Sequence, residues 1–305
     1  MDGIRAGSII VFFVFIAFLL SVTNESHPAL ASDSHGQMEL KVLSYNIHGI
    51  PIGVDQSRYK DIGQILHQRR DAGTAPQIVT IQEAFHPRTA ELVAEAGYPY
   101  VQKGPGPQGL RFGSGLYVLS EFPIMQSDSI VYENCVSWDC RVRKGALHVR
   151  IAVPGLPQSL EIFDTHLNSD PESDPGVTPA ETERVREQQV QSLTHFMWET
   201  KISQAPAIFP ADFNFQPTLL SYLFFGFGSN MKNAMEYCAN TERCSGDGHP
   251  GELWQASIDH QFYFSGVSPE VRIEPIHFEQ NFKEKVKGRY LSDHWGLEIH
   301  YRLQW

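Results

Sequence analysis

The sequence predicts an α/β sandwich, with sheets at the centre and helices on their outer faces. Three observations carry that prediction. Apolar or alternating runs of strand length alternate with segments of helical periodicity along the chain. No internal repeat and no low-complexity linker divides the 305 residues, so a single large core is the default. Finally, apolar runs end in a carboxylate, an amide or an imidazole, as in a sheet that delivers polar side chains into a crevice at its strand ends.

MELKVLSYNI reads as the first strand and RYKDIGQILHQRR as the first helix, with Ile62, Ile65 and Leu66 sharing one helical face. QIVTI is the next strand, followed by a helix in RTAELVAEAG that Gly97 stops. GLYVLS, GALHVRIAV and LEIFDTHL are short and alternating or apolar enough for sheet. The segment GVTPAETERVREQQVQSLTHFMWE carries a helix start, with Thr178 as cap, Pro179 at the first helical position and Glu181 completing a capping box. Val190, Leu193 and Met197 form its buried stripe. PAIFPADFNF is a strand running into a loop, and further strands are expected around Ile258–Phe264 and Leu297–Tyr301. Ser221–Gly228, SYLFFGFG, is expected to start a helix with Leu223 and Phe224 in the core, against the rival reading of a lipid-touching loop.

The N-terminus carries Arg5, an unbroken apolar run from Ile9 to Leu20, and a small-x-small site at Ala29 and Ala31. That order predicts a secretory signal peptide over residues 1–31 and a mature domain over 32–305. The run is shorter than the roughly 20 apolar residues of a spanning helix, although the distance from Leu20 to Ala31 keeps a retained anchor as the alternative. The formal net charge is −11, and it becomes −10 once Asp2, Arg5 and Glu25 leave with the signal. Beyond the short KEKVKGR run no basic cluster appears, which disfavours nucleic acid as a partner. Four cysteines fall in two close pairs, Cys135 with Cys140 and Cys238 with Cys244; in an exported chain this favours two small disulfide loops, with zinc as the alternative.

The chemistry sits at the strand ends. Glu83 terminates a strand that otherwise has no reason to carry a charge, and Asn46 and Asp293 supply further oxygen donors. Oxygen-rich donors without thiolates favour Mg2+ or another hard divalent cation. Asp212 and Asn214 point to one side if the backbone is extended there, while an Asx turn is the bland reading. Asp293 and His294 lie side by side just before the last strand, so that one can face a metal and the other can move a proton.

Taken in order, Asn46, Glu83, His166, Asp212-x-Asn214, Asp259 and Ser292-Asp293-His294 resemble the signature of the endonuclease/exonuclease/phosphatase superfamily, from Lys41 to Tyr301. Ala211 stands where Gly is usual, and His260 where Tyr is frequent. The resemblance implies a DNase I-like fold, a four-layer sandwich of two mainly antiparallel sheets flanked by helices. It also implies His294 as general base or, in some models of the family, as a metal ligand, Asp259 as its orienting partner, His166 and Asn214 as stabilisers of the transition state, Asp212 as positioner of the water or of a metal-bound water, and Asn46, Glu83 and Asp293 as metal ligands, directly or through waters. The stretch ENCVSWDCRVRKGALHVRI looks like the bacterial neutral sphingomyelinase branch, as do DTHLN and QEAFH, and the nuclease elements Arg-Glu-Pro and His-Ser-x-Pro are missing. That branch implies a secreted, monomeric, Mg-dependent phosphodiesterase of phospholipase C type that meets a phospholipid at a membrane surface, with Phe85 facing a quaternary ammonium. A secreted nuclease, a phosphatase or phospholipase C for another headgroup, and a non-catalytic lipid-binding protein are the alternatives. The aromatic-tipped hairpin that some bacterial sphingomyelinases insert into membranes is not evident between Asp259 and Asp293.

Overall fold

The computed structural model describes residues 36–50, 55–170, 174–202, 204–267 and 270–305. The predicted signal peptide lies outside the described residues. In chain order the elements are β1 (Gln37–Asn46), α1 (Arg58–Asp71), β2 (Ile78–Gln82), α2 (Thr89–Ala96), β3 (Tyr100–Lys103), β4 (Tyr117–Ser120) and β5 (Ile124–Val131). There follow β6 (Gly145–Ile151), β7 (Leu160–Thr165), α3 (Pro179–Thr200), β8 (Ala207–Asp212), α4 (Leu220–Ser229), β9 (Lys232–Asn233) and α5 (Ala234–Ala239). The chain ends with β10 (Ser245–Gly246), α6 (Pro250–Ala256), β11 (Asp259–Phe264), β12 (Gly266–Val267), β13 (Glu270–Asn281) and β14 (Gly296–Gln304), and a short 3-10 turn spans Ser137–Arg141.

Two sheets result. One runs β10-β13-β14-β1-β2-β4-β3 with β12 attached to β13, and the other runs β5-β6-β7-β8-β11-β9. Both are mainly antiparallel, with parallel steps at β1/β2, β7/β8 and β10/β13. Alternation along each strand divides the apolar residues between two faces. Leu40 and Val42 of β1, Ile162 of β7 and Ile208 of β8 meet between the sheets. Leu43 and Tyr45 face α1 and α2 instead, with Ile62, Leu66 and Leu92. Phe163 and Phe209 face α3 and α4, with Val190, Leu193, Met197 and Phe225. The predicted four layers are therefore present: helices, sheet, sheet, helices.

The local signals act as read. The Thr178 hydroxyl accepts from the Glu181 amide at 3.2 Å, Pro179 begins α3, and Gly97 closes α2 with a left-handed φ of 68°. Both cysteine pairs are disulfides, Cys135–Cys140 and Cys238–Cys244, with no free thiol left for zinc. One expectation is corrected. Residues 220–229 are helical, but Leu223 and Phe224 are exposed at 45% and 44%, while Tyr222 and Phe225 are the buried pair. The core takes the residues that stack on Phe213, Phe215 and Phe262, which sets the helix phase one position away from the reading.

The topology gathers the strand ends. Parallel pairing of β1 with β2 brings Asn46 opposite Gln82, just before Glu83. Parallel pairing of β7 with β8 brings His166 opposite Asp212, and antiparallel β11 sets Asp259 against Asp212. Antiparallel β14 pairs Leu297 with Ser44, so the residues just before it, Asp293 and His294, arrive at the same edge as Asn46.

Candidate active site

Six of the eight predicted metal and catalytic residues are tied to one another side chain to side chain. Asn46 Nδ2 donates to Glu83 Oε1 at 3.1 Å and to Asp212 Oδ2 at 2.8 Å, joining one sheet to the other. His166 Nε2 lies 3.5 Å from Asp212 Oδ2 and 3.8 Å from Glu83 Oε1. His294 Nδ1 is 2.8 Å from Asp259 Oδ2, and its Nε2 is 4.0 Å from Asp212 Oδ2. Asp293 approaches through the turn that Ser292 holds, whose Oγ donates to the Asn46 carbonyl at 2.7 Å. Asn214 stands slightly apart, donating through Nδ2 to the Leu167 carbonyl at 3.0 Å. Its φ of 50° breaks the extended backbone, and Asp212 Oδ1 accepts from the Asn214 amide at 3.0 Å. The Asx turn is thus what holds Asp212, and Asp212 and Asn214 do not share a strand face.

The backbone at the site is unusual in three places. His48, Glu83 and Asn214 all have positive φ, a region that non-glycine residues rarely adopt and that clusters at functional sites. Glu83 is turned out of β2 into the cleft by this conformation, at 17% side-chain exposure. Gly49 makes room for it: a Cβ there would fall 2.0 Å from the Glu83 carbonyl oxygen.

Two residues that the sequence reading did not single out for the site belong to it. His48 Nδ1 lies 2.5 Å from Asp293 Oδ2, and the His48 carbonyl accepts from Arg58. Lys144 is buried at 3% exposure, with Nζ 2.9 Å from Asp139 Oδ2, 3.0 Å from His166 Nε2 and 2.7 Å from the Leu167 carbonyl. An ammonium only donates, so His166 accepts at Nε2 and carries its proton at Nδ1, which is buried without a partner. A buried ammonium placed under an imidazole is an electrostatic device with no periodic signature. The sequence shows Lys144 only as a cation at the mouth of an apolar strand.

Charge environments follow from these contacts. Burial, and then Lys144 and His294, hold the His166 imidazole well below its ordinary range, so it is neutral. Burial and the neighbouring Asp259 push the Asp212 carboxyl up to about 7, against the pull of His294, Asn46 and Lys144. Burial works against the His294 imidazolium, but Asp259, Asp212 and Asp293 outweigh it and raise the group to about 10. Burial also opposes ionisation of Asp293, and His48 and His294 overcome it, keeping the carboxylate below its usual range.

These residues open into a cleft of about 670 Å³ whose walls include Ile50, Phe85, Phe112 and Trp138. Phe85 lies on that wall, its ring filling the space above Gly115, where a Cβ would come within 2.6 Å. Arg141 is the one Lys or Arg lining it among the described residues. Glu83 and Asp293 both present carboxylates to the cleft, an all-oxygen donor set that fits a hard cation. Asn46 turns its NH2 toward Glu83 and Asp212, and its Oδ1 accepts from the His48 amide at 2.9 Å; ligation through that oxygen requires the amide to reverse. Among the described residues two further groupings have convergent ligand atoms. Asp212, Asp259 and His294 form the hydrogen-bonded dyad with its neighbour. Glu279, Glu298 and His300 lie on the outer sheet face, where Arg69 forks both Glu298 oxygens at 2.8 and 3.0 Å and satisfies them as an ion pair.

Comparison with known proteins places the chain in a family and identifies its fold. The Endonuclease/Exonuclease/phosphatase family matches residues 43–294. A sphingomyelinase of Dictyostelium discoideum is 31% identical over 115 residues, 32% of this chain and 25% of that protein. A Mycobacterium tuberculosis sphingomyelinase is 27% identical over 145 residues, 43% of this chain and 27% of that protein. Each match thus spans only about a quarter of the relative's length. Sphingomyelinase C from Streptomyces griseocarneus superposes with a TM-score of 0.63 at 18% identity, covering 86% of this chain and 99% of that one. A Staphylococcus aureus beta toxin mutant with bound magnesium ions gives 0.62 at 15%, covering 86% and 99%. TDP2 of D. rerio complexed with single strand DNA product gives 0.63 at 17%, covering 86% and 98%. At such identities these structures establish a shared fold.

Proposed function

Because this chain belongs to the endonuclease/exonuclease/phosphatase family, we propose that it is a metal-dependent phosphoric diester hydrolase of phospholipase C type, cleaving sphingomyelin into ceramide and phosphocholine. One observation carries the choice of substrate. The cleft onto which His294 opens is walled by Ile50, Phe85, Phe112 and Trp138, with Arg141 the one Lys or Arg lining it among the described residues, which suits an amphiphile with a quaternary ammonium head. The similarity to sphingomyelinases supports the same reading.

In this mechanism His294, held through Nδ1 by Asp259, takes a proton at Nε2 from the attacking water, and Asp212 at 4.0 Å orients that water. Glu83 and Asp293, with Asn46 behind Glu83, would hold Mg2+ or a similar hard ion. Such an ion would polarise the phosphoryl group, and its positive charge would favour the neutral form of His294. His166 is neutral and cannot itself supply positive charge; the buried Lys144 ammonium beneath it does, and Asn214 adds an amide donor nearby. His48 locks the rotamer of Asp293.

We also assign residues 1–31 to a removed export signal and 32–305 to one monomeric catalytic domain; the two disulfides support the export. An exported protein whose N-terminus is not Ser32 would contradict that boundary. The activity is tested with protein incubated with Mg2+ and detergent-dispersed sphingomyelin, scoring phosphocholine release beside plasmid nicking. Phosphocholine release without nicking is the expected result. Nicking alone would move the chain to the nucleases, and release of phosphate or another headgroup alone would move it to another phosphoesterase branch.

A further inference from the structure

A second surface adjoins the cleft. The segment from Gly104 to Ser114 forms a narrow hairpin closed by reciprocal backbone bonds between Gln108 and Arg111, both 3.1 Å, with Gly109 at φ 59° in its turn. At its tip Leu110 is fully exposed, with a relative accessibility of 102%, and Phe112 beside it is 42% exposed. Trp138, in the turn closed by the Cys135–Cys140 disulfide, is 59% exposed.

The two segments are built as one lip. The Phe112 amide donates to the Arg141 carbonyl at 2.9 Å and the Arg143 amide to the Phe112 carbonyl at 3.1 Å. Arg111 Nη2 reaches the Val142 carbonyl at 2.7 Å, and Arg143 Nη1 the Gly106 carbonyl at 2.6 Å. The Arg141 guanidinium stacks 4.2 Å from the Trp138 ring. Three arginines are thus concentrated around three exposed apolar side chains, on a chain whose net charge is −11. Nothing in folding calls for a bare leucine at a hairpin tip, and a rigid lip carrying it into water has an energetic cost.

We propose that this lip, with Leu110, Phe112 and Trp138 as apolar anchors and Arg111, Arg141 and Arg143 as their cationic collar, is the surface by which the protein docks on a phospholipid bilayer. The occupant follows from composition and place. Aromatic and aliphatic tips enter the interface, guanidinium groups pair with lipid phosphates, and Phe112 and Trp138 also wall the catalytic cleft, so docking sets the cleft mouth against the headgroups. The proposal rests on the lipid reading of the cleft for its purpose, but not for its test.

The test uses the full protein, its Leu110→Glu variant and its Leu110→Phe variant. Leu110 packs against nothing and does not line the cleft, so neither change disturbs the fold or the catalytic residues. Cosedimentation is measured with vesicles of phosphatidylcholine and sphingomyelin, with and without phosphatidylserine, beside turnover of water-soluble bis(p-nitrophenyl) phosphate. Leu110→Glu should weaken vesicle binding about tenfold while leaving soluble turnover unchanged, Leu110→Phe should bind at least as well as the parent, and phosphatidylserine should tighten binding. Equal vesicle binding by parent and Leu110→Glu would overturn the proposal. So would loss of self-association in Leu110→Glu without loss of vesicle binding, which would give the lip to a second copy of the chain. If the parent released no phosphocholine from detergent-dispersed sphingomyelin, the substrate assignment would fail while the cosedimentation result still decided the surface.

Discussion

At the scale of single residues, the site divides its labour by burial and charge. Lys144 is the test of that division, since it touches neither solvent nor the predicted metal ligands, yet supplies positive charge beneath His166. Lys144→Met keeps the length and apolar stem and removes the charge. It should lower kcat by about 10²-fold with KM within a factor of a few, because the charge matters most where negative charge develops on the phosphoryl group. An equal rise in KM at constant kcat would instead make Lys144 a determinant of substrate binding. Asp259→Asn should leave structure intact and cost about 10³-fold in kcat, since the amide no longer stabilises the imidazolium that forms when His294 takes a proton. His260, the neighbour of Asp259, has a different role. Its Nε2 donates to the Phe215 carbonyl at 2.9 Å, its Nδ1 accepts from Asn233, and Phe213, Phe215, Tyr222 and Phe262 surround it. Burial pulls it from 6.5 to about 4, despite Phe215 and Asp259. Below pH 6.5 the unfolded chain takes up a proton that the folded ring refuses, so folding stability falls as pH drops from 6.5 toward 4, by about 3 kcal/mol for this one group. His260→Gln should start less stable at pH 7 and show a shallower loss of urea midpoint across that window. Parallel pH profiles for the two proteins would rule out the assignment.

At the scale of elements, the positive-φ turns after β1 and β2 set the direction of the proposed ligand Glu83 and of His48 beside Asp293. Gly49→Ala would place a methyl 2.0 Å from the Glu83 carbonyl oxygen and 2.8 Å from the Tyr59 hydroxyl, so the Glu83 turn must move. The expected result is a Mg2+ requirement shifted at least about tenfold higher by activity titration, with thermal stability reduced only modestly. An unchanged Mg2+ titration would show that Glu83 does not depend on this close approach. The contrast between elements also explains what was legible in the sequence. Strands β1, β2, β7 and β8 announced themselves through apolar runs, and their terminal Asn46, Glu83, His166 and Asp212 stood out because a polar group ends each run. The strand β13 did not, since Pro275 interrupts its pattern and Pro in a run reads as a break; the structure absorbs it as an irregularity in the β13/β14 register between Pro275 and His277. The helix α4 was legible but its face was not, because SYLFFGFG is apolar on every side and only the aromatic stack of Phe213 and Phe262 selects Phe225 for the core. His48 and Lys144 were illegible for a simpler reason. Their partners Asp293 and His166 lie far along the chain, and local spacing carries no trace of such pairings.

At the scale of the whole molecule, the candidate site is a property of how two sheets face each other. Asn46, Glu83, Asp293 and His294 come from one sheet, and His166, Asp212 and Asp259 from the other, so the His294–Asp259 dyad spans the sandwich. The layers are stitched by buried polar bonds as well as by apolar packing. The Thr80 hydroxyl donates to the Pro210 carbonyl at 2.9 Å, and Gln82 Nε2 to Asp164 Oδ1 at 2.7 Å. Burial pushes the Asp164 carboxyl well up, which favours its neutral form between the sheets. Gln261 on β11 crosses to the other sheet three times, donating to the Val42 and Leu297 carbonyls at 3.0 and 2.8 Å and accepting from the Tyr301 hydroxyl at 3.0 Å. It stands two residues from Asp259, and Leu297 stands three from His294, so this side chain ties the two sheets together close to the dyad. Gln261→Leu leaves a buried hydroxyl and two carbonyls short of a partner and should cost about 3 kcal/mol in a urea titration at unchanged m. It should also lower kcat about tenfold, because the dyad geometry is set across the same gap. Phe262→Leu provides the comparison, since that ring packs outward under α4 and its truncation weakens the fold by about 1 kcal/mol without touching the inter-sheet gap. It should keep full kcat when assayed well below its midpoint. If kcat instead fell in both variants in proportion to lost stability, register between the sheets would not be what tunes the site, and catalysis would depend on global stability alone.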